Sequence, residues 1–277
     1  MPRRPLFSET GFQFSMRFER GDPAAYFAPG EQHERLIEER RRWLTESPST
    51  YAASLPECEP LLRETLDLAN DWNPSPDRAS IDVGSSEPLL ALARFWEPDF
   101  LLLKPTNDAM PTLVGGSVCF PSSWSLEEKM GESIDFIHAV VPGLNDSIGG
   151  KVRNFLSRLR PGVAWLRANW GLSRSGELNQ HPGRDLPRLD AAAPIDEVWL
   201  RVEHQALVAL PKSGGILFGI RIETNPLATL LEDAAAMRGL ARDLETMPQA
   251  MAEYKNIAAI RGRVVEWLRA SEAPESG

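Results

Sequence analysis

The stretch EVWLRVEHQALVALPKSGGILFGIRIET, residues 197–224, decides the fold class of this chain. It contains two runs in which apolar residues alternate with polar or small ones, a pattern typical of β-strands that bury one face. The connection KSG is short and ends in a turn residue, so it can join neighbouring antiparallel strands. The sequence therefore predicts two adjacent strands of an antiparallel sheet.

Other strands and helices surround this pair without a regular strand–helix alternation. The apolar run DFLLLK, residues 99–104, has the length of a buried strand, and VAWLRANWGL, residues 163–172, is a further strand candidate. The opening FQFSMRF, residues 12–18, suits a short strand or an extended arm. This mixed order predicts an α+β fold and argues against a Rossmann or barrel fold.

Helices are indicated by apolar spacing and by caps. We expect a surface helix over about Gln32 to Thr45, a helix with a leucine stripe over Pro56 to Asn70, and an amphipathic helix over Ser147 to Arg160. The segment SWSLEEKMG predicts a helix start in which Ser123 or Ser125 acts as the cap. Beyond Pro226 the chain should be mostly helical, with Met247-Pro248 separating two helices.

The length of 277 residues favours one domain over two. We expect it to comprise a helical N-terminal region over about 1–95, a motif-bearing core over about 95–230 and C-terminal helices over about 227–270. The long polar loop SRSGELNQHPGRDLPRLDAAAP, residues 173–194, is either a functional lid or a poorly ordered excursion.

Charge and composition exclude several partner classes. The chain has 30 basic and 39 acidic residues, and its net charge of -9 repels nucleic acid and anionic membranes. The densest basic run, Arg40-Arg41-Arg42, belongs to the predicted surface helix and is interpreted as a solvated helix face. The opening MPRRPLF lacks the apolar run of a signal peptide and no later segment approaches a membrane span, so we expect a cytoplasmic protein.

Motifs for common cofactors are missing from the sequence. Only two cysteines occur, Cys58 and Cys119, which excludes a disulfide framework and a thiolate-bound zinc or iron–sulfur site. The glycine-rich fingerprints of nucleotide and dinucleotide sites are also absent. Any cofactor must therefore use other ligands.

Four histidines remain as candidates for metal or acid–base chemistry. His33 and His181 lie in polar surroundings and are most simply solvent-facing. His138 ends the apolar run IDFI, where an imidazole needs either a protein hydrogen-bond partner or a metal. It is either a core histidine bonded to a backbone carbonyl or the one protein ligand that a heme iron requires.

The strand LRVEHQAL carries charged side chains in alternation. Arg201, Glu203 and Gln205 fall on one face, and Val202, His204 and Ala206 fall on the other. Arg201 and Glu203 could form a surface ladder. The functional interpretation is that they line a pocket as a charged pair.

Taken in order, these segments resemble one known family. VCFPSSWSLEEKMGESIDFIHAVVPG, followed by WLRANWGL and then WLRVEHQALVALPKSGGILFGIRIET, is similar to the heme-dependent oxidative N-demethylase family, also described as the dimethylamine monooxygenase heme subunit. Five short motifs match in the same order over about residues 95 to 230. They are Phe-Pro-Ser-x-Trp, Lys-x-Gly, Ile-His-x-x-Val-Pro, Asn-Trp and Arg-x-Glu-x-Gln-x-Leu. Each motif alone is weak, but their ordered combination is much more specific.

The resemblance implies a PAS-like fold, in which helices wrap an antiparallel sheet that holds a b-type heme, with His138 as the iron ligand. The implied reaction is the oxygen-dependent removal of a methyl group from a secondary amine, which gives the shorter amine and formaldehyde. Electrons would come from NADPH through a separate flavin and iron–sulfur reductase subunit, consistent with the missing cysteine motifs. We thus expect a heme monooxygenase with an amine-type substrate.

Residue types suggest further roles within that site. Glu203 is expected to hold the substrate ammonium, while Arg201 or Arg221 would polarise bound oxygen or neutralise heme propionates. His204, where the family pattern has arginine, could be a second heme-side residue.

Departures from the family pattern leave other functions open. Val140 stands where the family usually has proline. A divergent biosynthetic heme oxygenase with a larger substrate is therefore one alternative. A heme-binding PAS module that senses gas or redox state is another, and a heme-free PAS-like subunit is a third.

Overall fold

The computed structural model describes residues 5–73, 81, 85–106 and 110–272, and in this part of the chain the strands form one seven-stranded sheet. The strands are β1 (Glu19–Gly21), β2 (Ala52–Ser54), β3 (Asp99–Lys104), β4 (Thr112–Ser117), β5 (Ala164–Ser173), β6 (Trp199–Ala209) and β7 (Ile216–Pro226). Their order is β1-β5-β6-β7-β3-β4-β2, and every neighbouring pair is antiparallel. The α+β class predicted from the sequence is confirmed. The PAS-like likeness stays a prediction.

Helices precede, interrupt and follow the sheet. They are α1 (Pro23–Phe27), α2 (His33–Glu46), α3 (Pro48–Tyr51), α4 (Glu59–Trp72), α5 (Pro88–Phe95), α6 (Ile134–Ala139), α7 (Gly150–Leu156), α8 (Ala234–Thr246), α9 (Gln249–Tyr254) and α10 (Arg261–Glu272). A π-helical turn, Asn145–Gly149, leads into α7. The region after β7 is mostly helical and Met247-Pro248 separates α8 from α9, as predicted, whereas the separate helix α10 was not predicted.

The hairpin of β6 and β7 forms the centre of the sheet. Both strands are 11 residues long and pair over their whole length. Gly214 adopts a φ of +70° in the turn, a left-handed conformation that glycine takes without a steric cost. The carboxylate of Glu64 on α4 accepts hydrogen bonds from the amides of Lys212 and Ser213, each 2.7 Å long, and so holds the turn in place.

The two faces of the sheet bury different apolar clusters. On one face, residues such as Phe100, Leu102 and Leu217 pack against α1, α4 and α5. On the opposite face, residues such as Leu101 and Leu103 pack against α7 and the segment around α6. We call this second side the cavity face, because the candidate site lies on it. Side chains alternate between the two faces along each strand.

The chain opens with an extended arm, residues 5–18, that has no regular secondary structure. Phe7 on this arm is buried and its ring lies edge-on to Trp170, with centroids 5.5 Å apart. The amide of Ser8 donates to the carboxylate of Asp243 on α8, and the amide of Phe12 donates to the hydroxyl of Thr246. The arm therefore joins the start of the chain to its C-terminal helices.

Two helices differ from the prediction around the segment that follows β4. The cap expected at Ser123 or Ser125 does not form: Ser123 has a φ of +62° and only one 3₁₀ turn, Glu127–Lys129, follows it. The helix starts instead at Ser133, whose hydroxyl accepts from the amide of Phe136. The helix predicted over Ser147 to Arg160 ends early, because α7 reaches only Leu156.

The basic run on α2 is only partly a solvated face. Arg41 and Arg42 are exposed, but Arg40 is fully buried and pairs with Asp99 at 2.5 Å. The alternation of charged residues along the helix gave no sign of this ion pair, because its acidic partner comes from β3. Among the described residues no helix is both long and apolar enough to cross a bilayer. The first four residues of the MPRRPLF segment lie outside the described part of the chain.

Candidate functional site

His138 lies in a wall between two cavities on the cavity face of the sheet. It is near the end of α6, a helix of six residues that Ser133 caps. The first cavity has a volume of about 450 Å³ and the second about 370 Å³. The residues that line both cavities are His138, Val141, Asn169, Trp170, Gln205, Phe218, Tyr254 and Lys255.

Both cavities have largely apolar walls. The apolar residues of the first cavity include Leu101, Leu103, Leu113, Trp124, Ile134, Ile137, Leu172 and Ile220. Those of the second cavity include Leu6, Phe7, Phe12, Phe14, Leu144, Ile148, Val152 and Met251. The extended arm and the C-terminal helices thus complete a space that begins on the sheet. Ligand sites in proteins combine such walls with a few placed polar groups.

The imidazole of His138 makes no hydrogen bond within the part of the chain that the structure describes. Burial lowers its pKa, the positive charge of Arg167 lowers it further, and Asp135 acts in the opposite direction. A neutral imidazole has a nitrogen lone pair that can bind a metal. Among the described residues, none therefore provides the carbonyl partner that a core histidine would use.

Glu203 lies on the floor of the first cavity, where three side chains hold its carboxylate. The hydroxyl of Ser122 donates to Glu203 Oε1 at 2.6 Å, and Gln205 Nε2 donates to Oε2 at 2.9 Å. Asn169 Nδ2, on the neighbouring strand β5, donates to Oε2 at 3.4 Å. Asn169 and Glu203 are directly opposite each other across β5 and β6, so the strand register brings them together. The carboxylate is fixed in orientation beside an apolar space.

Arg201 also borders the first cavity, but its guanidinium is committed to the protein. Nη2 donates to the carbonyl oxygens of Phe120 and Leu178 at 2.7 and 2.8 Å, and Nε donates to Ser122 Oγ at 2.7 Å. Burial lowers the pKa of Arg201 to about 10. The side chain ties two loops to the sheet, and through Ser122 it also supports Glu203.

The polar loop over residues 173–194 forms part of this border. Its Gln180 exchanges backbone hydrogen bonds with the segment after β4, donating to Pro121 O and accepting from Ser123 N. A smaller cavity of about 220 Å³ lies under the loop and shares Leu172, Gln180 and Lys255 with the first cavity. The loop is therefore a wall of the site.

Lys255, which follows α9, lines all three cavities. Its Nζ donates to the carbonyl oxygen of Trp170 at 2.6 Å. Burial lowers the pKa of Lys255 to about 8, Glu203 opposes this shift and Arg167 adds to it. Lys255 and Arg167 are thus two cationic side chains that line the second cavity.

Arg221 and His204, both candidates from the sequence, lie on the opposite face of the sheet from His138. They are cross-strand partners, so their side chains share a face, and the residues next to them, Ile222 and Glu203, point the other way. Arg221 donates to the carbonyl oxygens of Tyr26 and Ala28 and pairs with Glu97. His204 Nε2 lies 3.0 Å from a carboxylate oxygen of Glu223. The structure does not bring these two residues to the cavities.

The remaining histidines and the cysteines also lie outside the two cavities. His33 is not simply solvent-facing, because its Nδ1 lies 2.6 Å from a carboxylate oxygen of Glu97. His181 accepts from the amide of Gly183 and borders the smaller cavity. Cys58 and Cys119 are both buried and unbridged. No group of three or more His, Cys, Asp or Glu in the described ranges could hold a metal ion.

Sequence reasoning missed several residues of the site. Arg167 and Asn169 carried a usable signal, because they alternate along the predicted strand VAWLRANWGL as Arg201 and Glu203 do along theirs. Lys255 had no such signal, since its place depends on how the C-terminal helices pack against the edge of β5.

A comparison with protein families adds an independent observation. The family model described as haem-dependent oxidative N-demethylase, alpha subunit-like, matches residues 69–265. The matched range is well over half of the chain and contains β3 to β7, α6 with His138, and Lys255. The chain belongs to the haem-dependent oxidative N-demethylase, alpha subunit-like family.

Proposed function

We propose that this protein is a heme-dependent monooxygenase that removes a methyl group from an amine-type small molecule, using electrons from a separate reductase. The observation that carries the proposal is the imidazole of His138. It lies between two apolar cavities and makes no hydrogen bond to any residue that the structure describes. A half-buried histidine without a partner among the described residues is available as a ligand.

The residues present fit a heme. A heme iron needs one axial ligand from the protein, so the absence of a multidentate metal cluster among the described residues does not count against it. The cavity volumes are within the range of about 300 to 1,000 Å³ that is usual for ligand sites. Their apolar walls suit a flat apolar macrocycle, and His138 is the residue that would hold it.

When bound, the heme would supply oxygen activation, while this chain supplies binding, orientation and a dry environment. The apolar walls would limit the water around a heme held by His138. Glu203 is the group that would bind the substrate ammonium, because an ionised carboxylate forms strong hydrogen bonds to a cationic amine. Its three donors, Ser122, Asn169 and Gln205, keep the carboxylate directed before the substrate arrives.

Arg201 acts indirectly in this proposal. Its guanidinium has protein acceptors, so it positions Ser122 and the loops rather than contacting oxygen or a propionate. His204 and Arg221 are left out of the proposed site because they lie on the other face of the sheet.

The proposal includes a separate reductase, which is compatible with the few cysteines of this chain. Cys58 and Cys119 are both buried and belong to no metal-binding group among the described residues. We therefore propose that a flavin and iron–sulfur partner transfers electrons from NADPH. We propose an N-methylated amine as the substrate, either a small secondary amine or a larger molecule.

Reconstitution with hemin tests the cofactor. We expect the purified chain to develop a Soret band, and the variant His138→Ala to lose it while keeping its circular dichroism spectrum. His181→Ala is the matched control, because that histidine lines only the smaller cavity, and it should keep the band. A wild-type protein that takes up no hemin would contradict the proposal.

Turnover tests the enzyme function. With a chemical reductant, oxygen and a panel of N-methylated amines, we expect formaldehyde, and we expect Glu203→Gln to raise KM by about tenfold or more because a charged hydrogen bond is lost. Glu197→Gln, an exposed carboxylate on the surface, is the control. If the reduced heme binds oxygen reversibly but no amine yields formaldehyde, the gas-sensor function becomes the better account.

A further inference from the structure

We propose that Arg167 binds a carboxylate of the molecule that fills the second cavity. This inference rests on the proposed function, under which a propionate of the heme is one source of that carboxylate. A carboxylate on the substrate is the other source. The chemistry of recognition is the same for both, since guanidinium and carboxylate form paired hydrogen bonds.

The position of Arg167 is set by the sheet. It lies on the cavity face of β5, opposite Gln205 of β6, and lines the second cavity beside His138. Its guanidinium carbon is 5.9 Å from the ring centre of Phe18 on the arm. Within the described residues no oxygen accepts a hydrogen bond from it. Asp243, a carboxylate that lines the same cavity, accepts from the amide of Ser8.

Other arginines in the layers around the sheet show what the chain does with such a group. Arg40 pairs with the buried carboxylate of Asp99, and Arg221 pairs with Glu97. Arg201 donates to the backbone carbonyls of the loops around it. In each case the fold provides the acceptors, because an unpaired charge away from water is costly. Arg167 is the exception: it is half-buried, lines the second cavity and has no acceptor among the described residues, so a ligand in that cavity can supply one.

The surrounding charges favour an anion at this place. Lys255 lines the same cavity, and the positive charge of Arg167 helps to lower the pKa of that lysine, which means that the two cations repel each other. Glu203 attracts both groups, but three donors already hold its carboxylate. An anion from a ligand would relieve the repulsion and satisfy the free guanidinium at once.

Comparing the affinities for hemin and for its dimethyl ester measures what the carboxylates contribute, since the ester has the same macrocycle but no carboxylates. We expect Arg167→Gln to weaken hemin binding by about tenfold or more and to leave the affinity for the ester unchanged. Arg167→Lys should restore part of the affinity for hemin. Arg160→Gln removes the same charge from an exposed residue that lines neither cavity and should change nothing.

A second comparison identifies the source of the carboxylate. If Arg167→Gln leaves hemin binding unchanged, the heme-loaded protein is titrated with N-methylglycine and with dimethylamine while the Soret band is followed. If Arg167→Gln no longer responds to N-methylglycine but still responds to dimethylamine, the carboxylate belongs to the substrate. An Arg167→Gln variant that binds hemin, its ester and both amines as the wild type does overturns the inference.

The failure of this inference is distinguishable from failure of the proposed function. If the wild-type chain takes up no hemin, the proposed function fails, and the carboxylate site is then tested by the fluorescent probe pyrenebutyrate and its methyl ester. Tighter binding of the acid than of the ester, lost in Arg167→Gln, supports the site without heme. Equal binding of acid and ester by the wild type contradicts it.

Discussion

Arg40 shows how one residue can connect distant parts of the chain. It is on α2, yet its guanidinium donates to the carbonyl oxygen of Ala93 on α5 at 3.0 Å and pairs with Asp99 at the start of β3. Asp99 in turn accepts from the amides of Cys119 and Phe120 at 2.8 and 3.0 Å. The ion pair thus fixes the segment that carries the loop bordering the first cavity.

Removing Arg40 should be strongly destabilising, because it leaves the carboxylate of Asp99 buried without its cation. For Arg40→Ala we expect a loss of about 3 to 5 kcal/mol in the free energy of unfolding, measured by urea denaturation. Arg63→Ala is the matched control, since that arginine forms an exposed pair with Glu59 and should cost at most about 1 kcal/mol. Similar losses in the two variants would contradict a structural role for the buried pair.

At the scale of elements, β7 accepts α1 only because it has a glycine at the contact. A Cβ atom added at Gly219 would lie 2.7 Å from Tyr26 and 2.8 Å from Phe27, whose rings belong to α1. These rings cannot withdraw easily, because Phe27 also stacks on Trp96 with ring centres 4.2 Å apart. The absence of a side chain therefore sets the distance between helix and sheet.

Gly219→Ala should lower the free energy of unfolding by about 1 to 3 kcal/mol, because overpacking forces the aromatic rings or the strand to move. Gly171→Ala on β5 is the control: no heavy atom lies within 4 Å of its added Cβ, so we expect no loss. Thermal denaturation of both variants measures the difference. An unchanged melting temperature for Gly219→Ala would show that α1 can shift without cost.

Elements with a strong local pattern were predictable, and their relative placement was not. The hairpin of β6 and β7, the buried strand β3 and the leucine-bearing α4 follow from spacing alone. The failed cap at Ser125 and the early end of α7 reflect packing that overrides local preference. In the site, the face shared by Arg201 and Glu203 follows from strand alternation. The opposite placement of Arg221 depends on register, which one sequence does not reveal.

At the scale of the whole molecule, the two ends of the chain together close the second cavity. The arm contributes Phe7, Phe12 and Phe14, and the helices after β7 contribute Asp243 and Met251. Phe7 lies so close to α8 that a Cβ atom added at Gly239 would come within 2.7 Å of it. The space next to His138 therefore depends on contacts between residues more than 200 positions apart.

Loss of the Phe7 ring should release the arm while the sheet stays folded. In Phe7→Ala we expect the amides of Ser8 and Phe12, which donate to Asp243 and Thr246, to exchange with solvent about 100-fold faster, because a buried phenylalanine contributes about 3 kcal/mol or more. Amides of β6 should keep their protection, and Phe136→Ala, whose ring is 56% exposed, should leave the arm unchanged. Hydrogen exchange measured by NMR distinguishes these outcomes. Equal exchange at Ser8 and Phe12 in the wild type and in Phe7→Ala would mean that the side-chain hydrogen bonds alone hold the arm. Faster exchange confined to the arm and α8 would show that the Phe7 ring holds the arm over the second cavity.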